Sequence, residues 1–125
     1  MTPVVLDAGA LIALERRDRR MLALLREVVE ARVASHVPAG VVAQVWRGRP
    51  RQHAVVRLLR AQAMRVHPFS EAVAYRVGLL LASSHTSDVV DGHVAILGRS
   101  LRATVVTSDA DDLRRLDDSL DILAV

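Results

Sequence analysis

The chain has 125 residues, a hydrophobic fraction of 51%, a mean hydropathy of +0.25 and a formal net charge of +3, which suits one well-filled domain over residues 1–125 and excludes a disordered chain. It has no cysteine and no lysine, so disulfide staples, thiolate zinc sites, cysteine nucleophiles, P-loop chemistry and Schiff-base chemistry are all excluded. One Trp, one Tyr and one Phe cannot build the rows of stacking aromatics that several RNA-binding modules use.

In chain order, Val4 to Leu6 reads as a short buried strand, followed by helix-type spacing over Ala10 to Glu15 and Arg19 to Arg32, with Asp18 as N-cap of the second helix. Ala34 to Val37 predicts a strand ended by Pro38. Ala39 to Trp46 predicts an apolar helix broken by Gly48 and Pro50, and Arg51 to Ala63 another helix. Met64 to His67 predicts a third strand. Ser70 then caps a helix to about Ser83, and Ser87 or Asp88 starts a buried helix over Val89 to Arg102. Thr104 to Thr107 predicts a strand, Ala110 to Leu116 a short helix and Ile122 to Val125 a last strand. Apolar strands without alternation, separated by helices, indicate an α/β fold with a short parallel sheet of about 4–5 strands covered on both faces.

The termini carry no signal-like pattern and the longest apolar runs are far below membrane-spanning length, so a cytoplasmic protein without membrane attachment is expected. Charge is uneven. Residues 31 to 70 hold Arg32, Arg47, Arg49, Arg51, Arg57, Arg60 and Arg65 and no acid, whereas Asp109, Asp111, Asp112, Asp117, Asp118 and Asp121 crowd into residues 109 to 121. The arginines suit phosphate partners; Arg57 and Arg60 equally suit the solvated face of their helix. Trp46 reads as a core or dimer-interface anchor. His36, His53, His67, His85 and His93 show no ligand spacing and read as surface or satisfied-core residues.

Asp7 closes VVLD as Asp109 closes VVTSD, and ligands of open parallel sheets sit beyond the carboxyl ends of the strands. If the two strands are neighbours, these carboxylates converge. Asp88 and Asp91 lie three apart, on one face of a first helical turn; helix capping explains them as well as ligation does. Asp109 or Asp111 has the same capping alternative. Acids converging without a nearby cation repel one another, and a divalent ion is the usual remedy. Oxygen-only donors select Mg²⁺ or Mn²⁺ over zinc. Covalent phosphate acceptors fit poorly, because receiver domains need a lysine and haloacid-dehalogenase phosphatases a second acid where this chain has Gly9.

Four stretches in order, VLDAGALIALE, VPAGVVAQVWRG, TSDVVDGHVAILG and VVTSDADDL, resemble the motifs of PIN-domain ribonucleases, specifically VapC-type toxins of type II toxin-antitoxin systems. The resemblance spans nearly the whole chain and implies a PIN-like three-layer fold. It also implies a metal-dependent endoribonuclease whose products carry a 5′-phosphate and a 3′-hydroxyl. Asp7, Asp91 and Asp109 match the family's catalytic and metal-holding acids, with Mg²⁺ or Mn²⁺ as cofactor. Asp88 and Asp112 match as accessory acids, and Thr107 and Ser108 match the polar residues beside the late acid. Arg47, Arg49 and Arg51 are candidates for holding the RNA backbone. The implied partners are RNA, a VapB-like antitoxin and a second copy of the chain. One position departs: where the family carries a glutamate, VVAQVWR offers Gln44, which leaves the pocket one charge poorer. Either the remaining acids suffice, or the chain binds RNA or antitoxin with little cleavage.

Overall fold

The computed structural model describes residues 2–125. Five strands, β1 (Val4–Leu6), β2 (Ser35–Pro38), β3 (Met64–His67), β4 (Thr104–Thr107) and β5 (Asp121–Ala124), form one sheet in the order β3-β2-β1-β4-β5. Every pairing is parallel, and Leu6 lies beside Val106 while Thr107 lies beside Ala124. Parallel neighbours need crossover connections. These are supplied by α1 (Ala8–Glu15), α2 (Arg19–Glu30), α3 (Ala39–Val45), α4 (His53–Leu59), α5 (Glu71–Ser84), α6 (Val89–Leu101) and α7 (Ala110–Leu116).

The α/β class and all five expected strands are present, with shifts at their ends. The helix expected from Arg51 to Ala63 is shorter, because Pro50 opens a 3₁₀ turn over Pro50–Gln52 and α4 closes at Leu59. The final strand begins at Asp121, whose Oδ2 accepts the Thr104 hydroxyl at 2.7 Å. Asp18 and Ser70 cap α2 and α5 as expected, accepting backbone N–H groups of the first turn.

β1 is central and wholly apolar, and Val5 and Leu6 are fully buried. Each such side chain contributes about 1.5–3 kcal/mol on leaving water. Leu11 and Leu14 of α1, Val55 and Leu58 of α4 and Val94 of α6 complete the same core. α6 lies close to β4 because Gly98 faces it: a Cβ there would come within 2.6 Å of Val105 Cγ2. Trp46 is not in this core. It is 44% exposed, since α3 ends at Val45 and the chain turns extended at Trp46.

Four helices are followed by non-glycine residues in the left-handed region: Arg17 (φ 63°) after α1, Arg32 (φ 53°) after α2, His85 (φ 57°) after α5 and Arg102 (φ 51°) after α6. Among the described residues the Arg102 side chain makes no hydrogen bond or ion pair that would offset this, and an L side chain there costs roughly 1 kcal/mol. Arg102→Gly should therefore stabilise the fold by up to about 0.5 kcal/mol after the added entropy of the unfolded chain is deducted. Urea unfolding measures it; a lower midpoint in the variant contradicts this account of the cap.

Candidate functional site

β1 and β4 are neighbours, and the chain runs from β1 outward to β2 and β3 before returning to β4 on the other side of β1, so the carboxyl ends of β1 and β4 border the switch-point crevice where ligands of such sheets sit. Asp7 is the first residue beyond β1. Its backbone N–H donates to the Val106 carbonyl at 3.2 Å, continuing the sheet by one rung. Its Oδ1 accepts the Ala10 N–H at 2.9 Å and caps α1. Its Oδ2 accepts the hydroxyl of Thr107, a fully buried residue. The same Thr107 oxygen accepts the Asp109 N–H at 2.8 Å. One hydroxyl thus ties the first acid to the backbone of the late acid across adjacent strands.

Asp91 stands in the first turn of α6, whose N-cap is Asp88 accepting the Asp91 N–H at 3.0 Å. Capping is therefore a realised role of Asp88. Asp109 occupies the cap position of α7 but makes no side-chain cap bond, so its carboxylate is not spent on the helix end.

Electrostatics bind these residues into one group. Burial raises the pKa of Asp7 against the opposing hydrogen bonds from Thr107 and Ala10. Burial, then the charges of Asp88, Asp7, Asp109 and Asp112, pushes Asp91 up to about 6. Asp109 is raised chiefly by the neighbouring Asp112 carboxyl. No arginine pairs with Asp7, Asp91 or Asp109: among the described residues the ion pairs join Arg51 to Glu15, Arg99 to Asp117, Arg114 to Asp111 and Arg115 to Asp112.

Gln44 lies elsewhere in the arrangement. It is exposed on α3 and lines a cavity of about 490 Å³ with Ile12, Glu15, Arg16, Arg47 and Arg51, and none of the aspartates lines that cavity. Arg47 spends its guanidinium on the carbonyls of Ala43 and Trp46 at 3.0 and 2.7 Å, and Arg51 is paired with Glu15 at 3.0 Å. Arg49 is exposed just before the 3₁₀ turn.

Sequence reasoning missed two features. Gly9 sits so close to the 107–109 turn that a Cβ on it would overlap the Ser108 hydroxyl; its signal was a glycine in the first turn of a helix, where propensity disfavours it. The histidines are not all scattered. Parallel pairing of β2 with β3 brings His36 Nδ1 within 2.8 Å of His67 Nε2. His93 is not a satisfied core histidine, because its buried Nε2 has no partner among the described residues.

Among the described residues no three acidic or histidine side chains are gathered tightly enough to chelate an ion by themselves. The donors around Asp91 are nevertheless all carboxylate and hydroxyl oxygens, and the neighbouring carboxylates raise the pKa of Asp91. Such a set fits a hard divalent cation that keeps several waters and takes one or two carboxylates directly, the coordination habit of Mg²⁺.

A short parallel sheet with carboxylates beyond the ends of its two switch-point strands defines an α/β domain built around an acidic crevice. The chain belongs to the PIN-domain family, whose model matches residues 4–119. PIN domains are generally nucleases, and these nucleases generally use divalent metal ions. No curated protein sequence matches the chain. Its fold is similar to that of VapBC2 from Rickettsia felis, solved bound to a promoter DNA fragment, with a TM-score of 0.66 at 13% identity, covering 98% of each chain. FitAcB from Neisseria gonorrhoeae gives 0.61 at 20% identity, covering 96% of each chain. PAE2754 from Pyrobaculum aerophilum gives 0.63 at 18% identity, covering 97% of this chain and 90% of that one.

The crowded carboxylates set a pH dependence whose sign can be tested. Asp91 holds its proton up to about pH 6 in the fold against 3.8 ordinarily, so its contribution is fully present below about 3.8 and is lost as pH rises through 6. Asp91→Asn removes the charge. The variant should melt higher than the parent at pH 7.5, with the gap closing by pH 3.5; a variant that melts lower at pH 7.5 contradicts the repulsion.

Proposed function

We propose that the chain is a metal-dependent endoribonuclease toxin of a type II, VapBC-like system, with Asp7, Asp91 and Asp109 as its catalytic acids. The observation that carries this reading is the Thr107 bridge, which fixes Asp7 and the Asp109 backbone at the switch point, within electrostatic reach of Asp91. These three acids would hold Mg²⁺ or Mn²⁺, in part through water. A divalent ion bound there supplies a water of lowered pKa and positive charge for the phosphoryl and leaving oxygens.

The protein's own residues do the rest. Asp7 is held by two hydrogen bonds through its two oxygens, so its remaining lone pairs have a fixed direction. Asp91 presents its carboxylate from the rigid first turn of α6. Asp109 leaves its side chain free of capping, and the neighbouring Asp112 carboxyl raises its pKa. Gly9 lets the Ser108 turn lie against α1, which keeps the 107–109 segment in register with Asp7. Asp88 acts on the site by ordering the start of α6.

Among the similar structures VapBC2 is bound to a fragment of its promoter DNA, which supports a cognate antitoxin as partner of a cytoplasmic toxin. Among the described residues no helix is long and apolar enough to cross a membrane. A homodimer belongs to the same reading, supported by α5, where Tyr75 and Leu79, one turn apart, are 71% and 75% exposed. Exposed large apolar groups at such spacing mark an association face.

A second reading, an RNA- or antitoxin-binding protein with little cleavage, is favoured by Gln44 and its place in the cavity beside Glu15 and three arginines. Cleavage of a structured RNA with Mn²⁺, followed on gels, separates the two. The parent should cut and stop in EDTA, and Asp7→Asn, which keeps the cap through its amide oxygen, should lose at least about a hundredfold in rate. Equal cutting by Asp7→Asn or in EDTA overturns the metal mechanism. Gln44→Glu should change the rate little; activity created only in that variant assigns the parent to the second reading.

A further inference from the structure

We propose that Arg16 is a phosphate-positioning residue that leads an RNA strand from the arginine-lined cavity across α1 into the acidic crevice. The assignment rests on the nuclease reading above and names the path its substrate takes. Two cavities flank α1, of about 490 and 550 Å³, each in the size range of sites that enclose a small ligand. Ile12 and Arg16 are walls of both. The first is lined further by Gln44, Arg47 and Arg51, the second by Gly9 and Ser108. Gly9 is two residues from Asp7, and Ser108 adjoins Asp109, so the second cavity borders the segments that carry these two acids, neither of which lines it.

The charges along this path are unequal in what they have left to offer. Arg47 is engaged by two carbonyls of its own neighbourhood, and Arg51 is offset by Glu15. Asp18, the other acid lining the second cavity, is occupied in capping α2 through the N–H groups of Arg20 and Met21. The Arg16 side chain is exposed and has no hydrogen bond or ion pair among the described residues, so it is the uncommitted cation where the cavities meet. A guanidinium free to make two parallel bonds suits a phosphate. It lies nine positions after Asp7 across the eight residues of α1, roughly 13 Å along the axis. Arg16 therefore meets a phosphate beyond the one being cut, as a positioning residue. A polynucleotide is the anion that supplies such a second charge at a fixed spacing, and with so few aromatics the grip falls on the backbone rather than the bases.

The test is fluorescence anisotropy of a fluorescein-labelled single-stranded RNA of mixed sequence, in the Asp7→Asn background so that bound RNA survives. Adding Arg16→Ala should weaken binding about five- to tenfold and make the slope of log affinity against log salt shallower by about 0.7. Arg16→Lys should keep the slope, and Arg26→Ala, on the exposed side of α2, should change neither quantity. With Asp7 intact and Mn²⁺ present, Arg16→Ala should raise KM more than it lowers kcat. Unchanged affinity and slope in Arg16→Ala overturn the proposal, as does an equal loss in Arg26→Ala. A lower melting temperature without loss of RNA affinity also overturns it, by assigning Arg16 to the dipole of α1. A parent that binds RNA through Arg16 but never cuts it would defeat the nuclease reading and leave this one standing.

Discussion

The buried hydroxyl of Thr107 is the contact on which the site depends. It donates to Asp7 and accepts from the Asp109 amide, so residues a hundred positions apart in the chain are held as one unit. The bond can form only because β1 and β4 are adjacent and parallel with Leu6 beside Val106, and that register in turn follows from an apolar β1 buried on both faces. A slip of one residue would turn Thr107 to the other face and separate the acids. The hydrophobic core thus does more than stabilise the chain: it sets the relative position of two carboxyl-bearing segments that local sequence cannot bring together.

The arrangement has an electrostatic cost. Burial raises Asp7 and Asp91, and the neighbouring acids raise Asp91 further, while no arginine offsets either residue. A protein selected for stability alone has no reason to gather unpaired acids at the end of its central strand. The fold tolerates them because the damage is local: each acid sits at a helix start, where the helix dipole favours negative charge, and Asp7 and Asp88 also satisfy first-turn N–H groups. Capping by these acids does not preclude ligation. The interactions that lower the cost of the acids are the ones that aim them.

Much of this was legible in the sequence because it is local or periodic. The bare apolar strands gave a parallel sheet, Asp18 and Ser70 marked helix starts by their position before periodic runs, and strand-end acids pointed to the crevice. What stayed hidden depends on packing between distant segments. Nothing in TSD says that its threonine reaches Asp7, or that Gly9 is needed under Ser108. The His36 and His67 pair arises only from the register of β2 against β3. Of the two readings of Trp46, core or dimer-interface anchor, its exposure removes the first, because the helix that carries the preceding residues stops one position earlier. The arginines of residues 47 to 51 were plausible from charge alone, yet two are committed to carbonyls or to Glu15, and Arg16, outside the basic band, is the uncommitted one where the two cavities meet.

The central claim is that the acids at the β1/β4 switch point are a divalent-metal site despite not being gathered into a chelate. Crystals grown with Mn²⁺, measured for anomalous scattering, test it most directly. The account predicts an anomalous peak among Asp7, Asp91 and Asp109, with waters completing the coordination. No peak there, or a peak only at a distant pair such as His36 and His67, would contradict it.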